Sequence, residues 1–121
     1  MNWTAIVAIL GLMVLLFFMQ RRGWISAKEA RERLRDGALV VDVRTEVEFA
    51  TGHLPGATNL PLGTIATTTP ARMPDKGETL LLHCQSGRRS RVAQIELRAM
   101  GYTNAFNLGS YARAAQIVAG K

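Results

Sequence analysis

The chain reads as an α/β protein with a mostly parallel central sheet, helices on both faces, and one transmembrane helix in front. Three observations predict this. Short apolar runs, Leu39-Val40-Val41-Asp42-Val43 and Thr79-Leu80-Leu81-Leu82, alternate with helix-patterned segments. Strands separated by helices pair in parallel and are covered on both faces. Helix starts carry capping sequences, Ser26-Ala27-Lys28-Glu29 and Thr45-Glu46-Val47-Glu48, in which a hydroxyl and a carboxylate satisfy each other's free amides. Finally, Trp3 to Met19 holds no charged residue, and Thr4 is its one clearly polar side chain.

That first stretch is read as an uncleaved single-span anchor over residues 1–22, with one domain over 23–121. At ~1.5 Å per residue, the uncharged run reaches roughly 25 Å, the short end of what crosses a hydrocarbon core of about 30 Å. Trp3 and Trp24 bracket it where interfacial aromatics are expected. A signal peptide would carry a basic residue before the apolar run and a small-x-small cleavage site after it; here Gln20-Arg21-Arg22 follows instead. Met1, Met13 and Met19 are expected to contact lipid. Gly11 alone is too little for a helix-packing motif with a membrane-protein partner.

Charge gives the orientation. Arg21, Arg22, Lys28 and Arg31 all follow the apolar run and no Lys or Arg precedes it, which puts the domain on the cytoplasmic face, at the inner membrane if the protein is bacterial. The net charge of +6 is partly this juxtamembrane cluster, which anionic lipid attracts. A basic stripe interleaved with aromatics is missing, which argues against nucleic acid as a partner. One cysteine in 121 residues suits a reducing compartment and a free thiol.

Within the domain, Ala30 and Leu34 mark the buried stripe of a first helix that ends near Gly37. Leu39 to Val43 reads as a strand buried on both faces. The second capping box opens a short helix that closes near Gly52. His53-Leu54-Pro55-Gly56 turns into a brief strand, Ala57 to Leu60, ended by Pro61. Gly63 to Pro74, with three consecutive threonines and two prolines, reads as a weak helix plus loop. Thr79 to His83 is the central strand. In the helix after it, Val92, Ile95 and Ala99 are expected to share the core face, with Ala93, Leu97 and Met100 adjoining. A last strand, Asn104 to Leu108, turns at Gly109 into a helix from Tyr111 to Val118.

The segment His83-Cys84-Gln85-Ser86-Gly87-Arg88-Arg89-Ser90 carries the chemistry. It sets the cysteine at the carboxyl end of a strand and at the start of a helix, where sheets of this kind place their sites. Amides of a helix's first turn have no internal partners and the helix dipole adds positive charge, so a thiolate there has a lowered pKa. Gly87 permits the bend that aims successive amides at one anion. Arg88 and Arg89 add full charges. A lone cysteine is most often an inert buried thiol, but this position favours the reactive reading. Arg88 reads equally as a solvated loop charge, and Arg89 as a brace of the loop. Asp42 and Arg44, at the end of the neighbouring strand, read first as structural: Asp42 pinning the following loop, Arg44 pairing with Glu46 or Glu48. His53 reads as a turn residue packed near Pro55, and His83 points away from Cys84 because adjacent strand residues face opposite sides. One cysteine and two distant histidines make no metal site.

The loop Cys84-Gln85-Ser86-Gly87-Arg88-Arg89-Ser90 resembles the Cys-x-x-Gly-x-Arg-Ser loop of rhodanese sulfurtransferases. Val41-Asp42-Val43-Arg44, Glu48-Phe49, Gly52-His53-Leu54-Pro55-Gly56-Ala57 and Asn59-Leu60-Pro61 are similar to that family's N-terminal signature, in order and spacing. The likeness covers most of residues 24 to 111 and points to single-domain rhodaneses with an N-terminal membrane anchor. It implies a rhodanese-like fold and transfer of a sulfane sulfur, from thiosulfate or a protein or small-molecule persulfide, to a thiophilic acceptor. Carried over by position, Cys84 is the nucleophile and persulfide carrier. Gln85, Ser86, Gly87, Arg88 and Arg89 hold the sulfur anion and its donor, with Asp42, Arg44 and Ser90 in support. The implied partners are a small anionic sulfur donor, a thiol acceptor, a protein persulfide, and the bilayer through residues 3–19; no bound cofactor and no metal is implied.

Two positions depart from the family pattern. Gly109-Ser110 stands where a Gly-Gly pair is common, and Ala114 where Trp is expected, which bears on the packing of the last helix. The nearest enzymatic rival, a cysteine phosphatase, has a longer loop with an arginine six positions after the cysteine. Here that position is Ser90. A rival of another class is a membrane-tethered binding module without chemistry, which would usually lose the cysteine.

Overall fold

The run Leu80-Leu81-Leu82-His83 offers apolar groups to both sides of a strand, and all four residues are buried. It forms β3 of a four-stranded, all-parallel sheet with the order β2-β1-β3-β4. The other strands are β1 (Leu39–Asp42), β2 (Thr58–Asn59) and β4 (Ala105–Gly109). The computed structural model describes residues 2–21 and 23–120, with the side chains of Gln20 and Arg21 left out. The lipid contact expected of Met1 and the flanking charge expected of Arg22 lie outside the described residues.

The helices are α1 (Trp3–Arg21), α2 (Ala27–Arg35), α3 (Glu46–Thr51), α4 (Ile65–Arg72), α5 (Arg88–Ala99) and α6 (Tyr111–Val118), with a 3-10 turn at Leu62–Thr64 before α4. Side chains alternate across the sheet, so two cores form. Val41, Leu80, Leu82 and Cys84 face α4 and α5, packing with Ile65, Ala93 and Leu97. Val40, Leu81 and Leu108 face α2 and α6, packing with Ala30, Ala114 and Ile117. Asp42 pairs in register with His83, and His83 with Gly109. This brings the carboxyl ends of three strands into one row.

Two local expectations are corrected. Ser26 Oγ accepts from the Glu29 amide at 3.1 Å, but Glu29 turns to Arg33 at 3.3 Å, so only half of that capping box forms. The box at Thr45 and Glu48 is complete. On α5 the buried face is Ser90, Ala93 and Leu97, whereas Val92 and Ile95 are exposed. The buried face lies about 100° around the helix from the expected one, and it turns the Ser90 hydroxyl to Asn107 Oδ1 at 2.7 Å. Pro70 sits inside α4, where the Thr67 and Thr68 hydroxyls both donate to the Thr64 carbonyl.

The transmembrane helix is not supported. Among the described residues no helix is long and apolar enough to cross a membrane. The uncharged stretch of α1 falls about 5 Å short of a hydrocarbon core of ~30 Å. Apart from Ile6, its side chains from Trp3 to Met19 are exposed and belong to neither core. Trp24, expected at a lipid interface, belongs instead to the domain: it pairs with Asn107 of β4 as an isolated parallel bridge, and the next amide, Ile25 N–H, donates to the Asn107 carbonyl at 2.9 Å.

Candidate active site

Cys84 follows β3 directly, and the loop to α5 wraps around its sulfur. Gly87, with φ +92, caps the N-terminus of α5 in the left-handed region that favours glycine. Its N–H donates to Cys84 Sγ at 3.0 Å, and the Ser90 hydroxyl stands 3.6 Å from the same sulfur. Burial pushes the Cys84 thiol up. Hydrogen bonds to the sulfur from the Ser90 hydroxyl and from the amides of Ser90, Gly87 and Ser86 pull it down by more, so it lies below the usual thiol value. Cys84 is buried, while Gln85, Ser86 and Arg88 beside it are exposed.

The two arginines divide. Arg89 makes a two-point ion pair with Glu48 of α3, at 2.6 and 3.0 Å, and so ties the loop to the helix after β1. The Arg89 guanidinium holds the Glu48 carboxyl down at about 2. Arg88 has no recorded partner among the described residues and faces solvent. It is the loop's uncommitted charge, whereas Arg89 also interacts with the Cys84 sulfur, which adds to the rise of its own pKa.

Asp42 and Arg44 are brought close to the row of strand ends but are spent on each other. Arg44 donates to both Asp42 oxygens, at 2.7 to 3.0 Å, and to the Gly52 carbonyl at 2.7 Å. Asp42 Oδ1 also accepts from the Arg44 amide at 2.9 Å, which pins the loop after β1. The expected pairing of Arg44 with Glu46 or Glu48 is therefore corrected: a partner two residues away, reached from the same turn, wins. His83 lies on the Asp42 side of the sheet, opposite Cys84, with Nε2 3.9 Å from Asp42 Oδ2. His53 stacks on Phe49, with ring centroids 3.7 Å apart. Among the described residues no cluster of three metal-ligating side chains occurs.

Residues 26–113 match the Rhodanese-like domain family. The chain is 36% identical over 69 residues to the thiosulfate sulfurtransferase PspE of Escherichia coli, covering 57% of this chain and 66% of that protein. It is 34% identical over 101 residues to the human thiosulfate:glutathione sulfurtransferase, covering 72% of this chain and 88% of that one. The solved human single-domain sulfurtransferase TSTD1 superposes with a TM-score of 0.67 at 31% identity, over 78% of this chain and 96% of that chain. The chain belongs to the rhodanese-like domain family.

Within this rhodanese-like domain the two departures are absorbed locally. Ser110 caps α6, its hydroxyl accepting from the Arg113 amide at 3.2 Å. Ala114 is fully buried against α2. The position where a phosphatase would carry its arginine is Ser90, buried beneath the loop.

Sequence reasoning missed Asn107. Its side-chain oxygen accepts from Ser90 Oγ at 2.7 Å and the Gly109 amide at 2.9 Å, while Nδ2 donates to the Gly87 carbonyl at 3.1 Å. It thus locks α5, the loop and β4 together from a strand far along the chain. Glu48 was read as a capping-box residue and a candidate partner of Arg44, and its bond to Arg89 spans 41 positions, beyond any local signal. Asparagine inside an apolar strand pattern was the one available hint, since a buried amide has to be paired.

Proposed function

We propose that this rhodanese-like domain is a sulfurtransferase that carries a sulfane sulfur as a persulfide on Cys84. The observation that carries the reading is the set of donors converging on one sulfur whose thiol is held below its usual range. The Cys84 thiolate attacks the outer sulfur of thiosulfate. A sulfur–sulfur bond forms, the donor's own sulfur–sulfur bond breaks, and its electron pair leaves with sulfite. An acceptor thiolate then attacks the outer sulfur of the Cys84 persulfide and releases the Cys84 thiolate. Each step is a displacement with no net oxidation, so no bound cofactor is required. The amides of the Gln85–Arg89 loop stabilise negative charge at the sulfur throughout, and Arg88 attracts the anionic donor. Arg89 and Ser90 hold the loop, and Asp42 and Arg44 pin the neighbouring turn after β1. The names of the sulfurtransferase relatives support thiosulfate as a donor class.

The accompanying proposal is that α1 lies in a lipid bilayer and tethers the domain, residues 23–121, to the cytoplasmic face. A helix apolar on all sides requires an apolar surrounding, and here its side chains are exposed. The basic residues on its C-terminal side favour the cytoplasmic orientation. The same tether supports a second reading, a membrane scaffold in which chemistry is dispensable.

Intact-mass measurement after incubation with thiosulfate separates the readings. A gain of one sulfur atom with release of sulfite, absent in Cys84→Ala, is expected. No gain in a protein whose thiol still alkylates would leave the scaffold. Release of the chain from membranes by alkaline carbonate would contradict a bilayer-embedded α1.

A further inference from the structure

We infer that Trp24 is a positioning residue of the sulfur site: its ring holds the Gly87 end of the loop so that the Gly87 N–H faces Cys84 Sγ. The inference rests on the sulfurtransferase reading for its purpose, but its geometry stands separately.

Two glycines far apart in sequence are pressed against the same indole. A Cβ on Gly87 would stand 2.7 Å from Trp24 Cζ2 and 3.2 Å from the Gly109 carbonyl carbon. A Cβ on Gly109 would stand 2.6 Å from Trp24 Cδ2 and Cε3. Both glycines have positive φ, so each position is closed to a side chain by conformation and by the ring together. The ring itself is fixed from behind. Arg113 places its guanidinium 5.4 Å from the ring centroid and is anchored by the Leu108 carbonyl at 2.5 Å and the Ile25 carbonyl at 2.6 Å. The backbone of Trp24 is pinned to Asn107, whose side chain holds the Gly87 carbonyl. Gly87 is therefore clamped on one side by Asn107 and covered by Trp24. Its N–H, aimed at the sulfur, has no freedom to swing away.

Trp24 also lies three residues beyond the end of α1. The residue that braces the loop thus lies in the short segment between the apolar helix and α2.

The test is the pH dependence of iodoacetamide alkylation at Cys84, the sole cysteine, measured on the full chain in detergent micelles. It does not require sulfur transfer, so a chain that never loads sulfur would overturn the proposed function and leave this inference standing. Trp24→Ala is expected to move the alkylation midpoint upward by about one pH unit, roughly a tenfold change in the thiol's ionisation constant. Trp24→Phe, which withdraws the six-membered edge that touches Gly87, shifts it in the same direction by less. If Trp24→Ala melts before it can be assayed, Trp24→Phe decides alone. Gly109→Ala is expected to raise the midpoint too, and Trp24→Ala in that background to add little, because both changes break one contact. An unshifted midpoint in a folded Trp24 variant, or simple addition of the two effects, overturns the assignment.

Discussion

The two ends of neighbouring strands, at Cys84 and at Asp42-Val43-Arg44, carry similar residue types and opposite arrangements. Around Asp42 the carboxylate and the guanidinium are spent on each other. The carboxylate takes the Arg44 guanidinium and amide, and Arg44 also lies over the Tyr111 ring at 4.7 Å. Around Cys84 the donors converge on a single sulfur and Arg88 stays free. A cluster of charges whose members satisfy one another locks a turn. Donors left pointing at one atom make a site. The comparison also explains why both arginines of a motif need not act alike: Arg89 is paired with Glu48 and interacts with the Cys84 sulfur, while Arg88 faces solvent.

The sharpest break between the regions is Arg44→Ala. It leaves the buried Asp42 carboxylate without its partner, and loss of one member of such a pair costs about 3–5 kcal/mol. Denaturant unfolding should show that loss, whereas the pH dependence of Cys84 alkylation in the folded fraction should not move. A smaller effect is expected from His83. Burial holds its imidazole below the ordinary value of 6.5, with Asp42 opposing. The unfolded chain therefore binds a proton more readily than the folded one. The stability His83 contributes is complete above 6.5 and falls away as pH drops below it. Unfolding of the native chain and of His83→Gln across mildly acidic pH should diverge in that direction. Least of all, Arg88→Ala should weaken capture of thiosulfate by up to about fivefold in KM, since an exposed charge contributes ~0.2–1 kcal/mol. The difference from the native chain should shrink as salt rises. A large loss of stability in Arg88→Ala would erase the distinction between the two regions.

Much of this arrangement was legible from the chain alone because its signals are local. A strand, a cysteine, a glycine and a helix start lie within eight consecutive residues, and the order of elements followed from apolar runs and caps. The α6 boundaries, Tyr111 to Val118, were read correctly for the same reason. What escaped detection joins distant segments. Glu48 reaches Arg89, Asn107 reaches Gly87 and Ser90, and Trp24 reaches two glycines; nothing in the neighbourhood of each residue marks its partner. On α5 periodicity pointed to the face of Val92 and Ile95, whereas the buried one, Ser90, Ala93 and Leu97, has fewer large apolar groups and is joined to Asn107 by a bond across 17 positions. The N-terminal helix shows the converse. Its hydropathy was plain, but hydropathy did not place Trp24, which turned from the expected lipid interface to the loop beside the sulfur.

The central claim is that hydrogen-bond donors of the loop hold the Cys84 thiol below its ordinary titration range, against the opposing effect of burial. Ultraviolet titration of the thiolate, with Cys84→Ala as the blank, tests it most directly. A midpoint below the 9.0 of an unperturbed thiol is predicted. A midpoint at or above that value would mean that burial outweighs the loop, and would contradict the account.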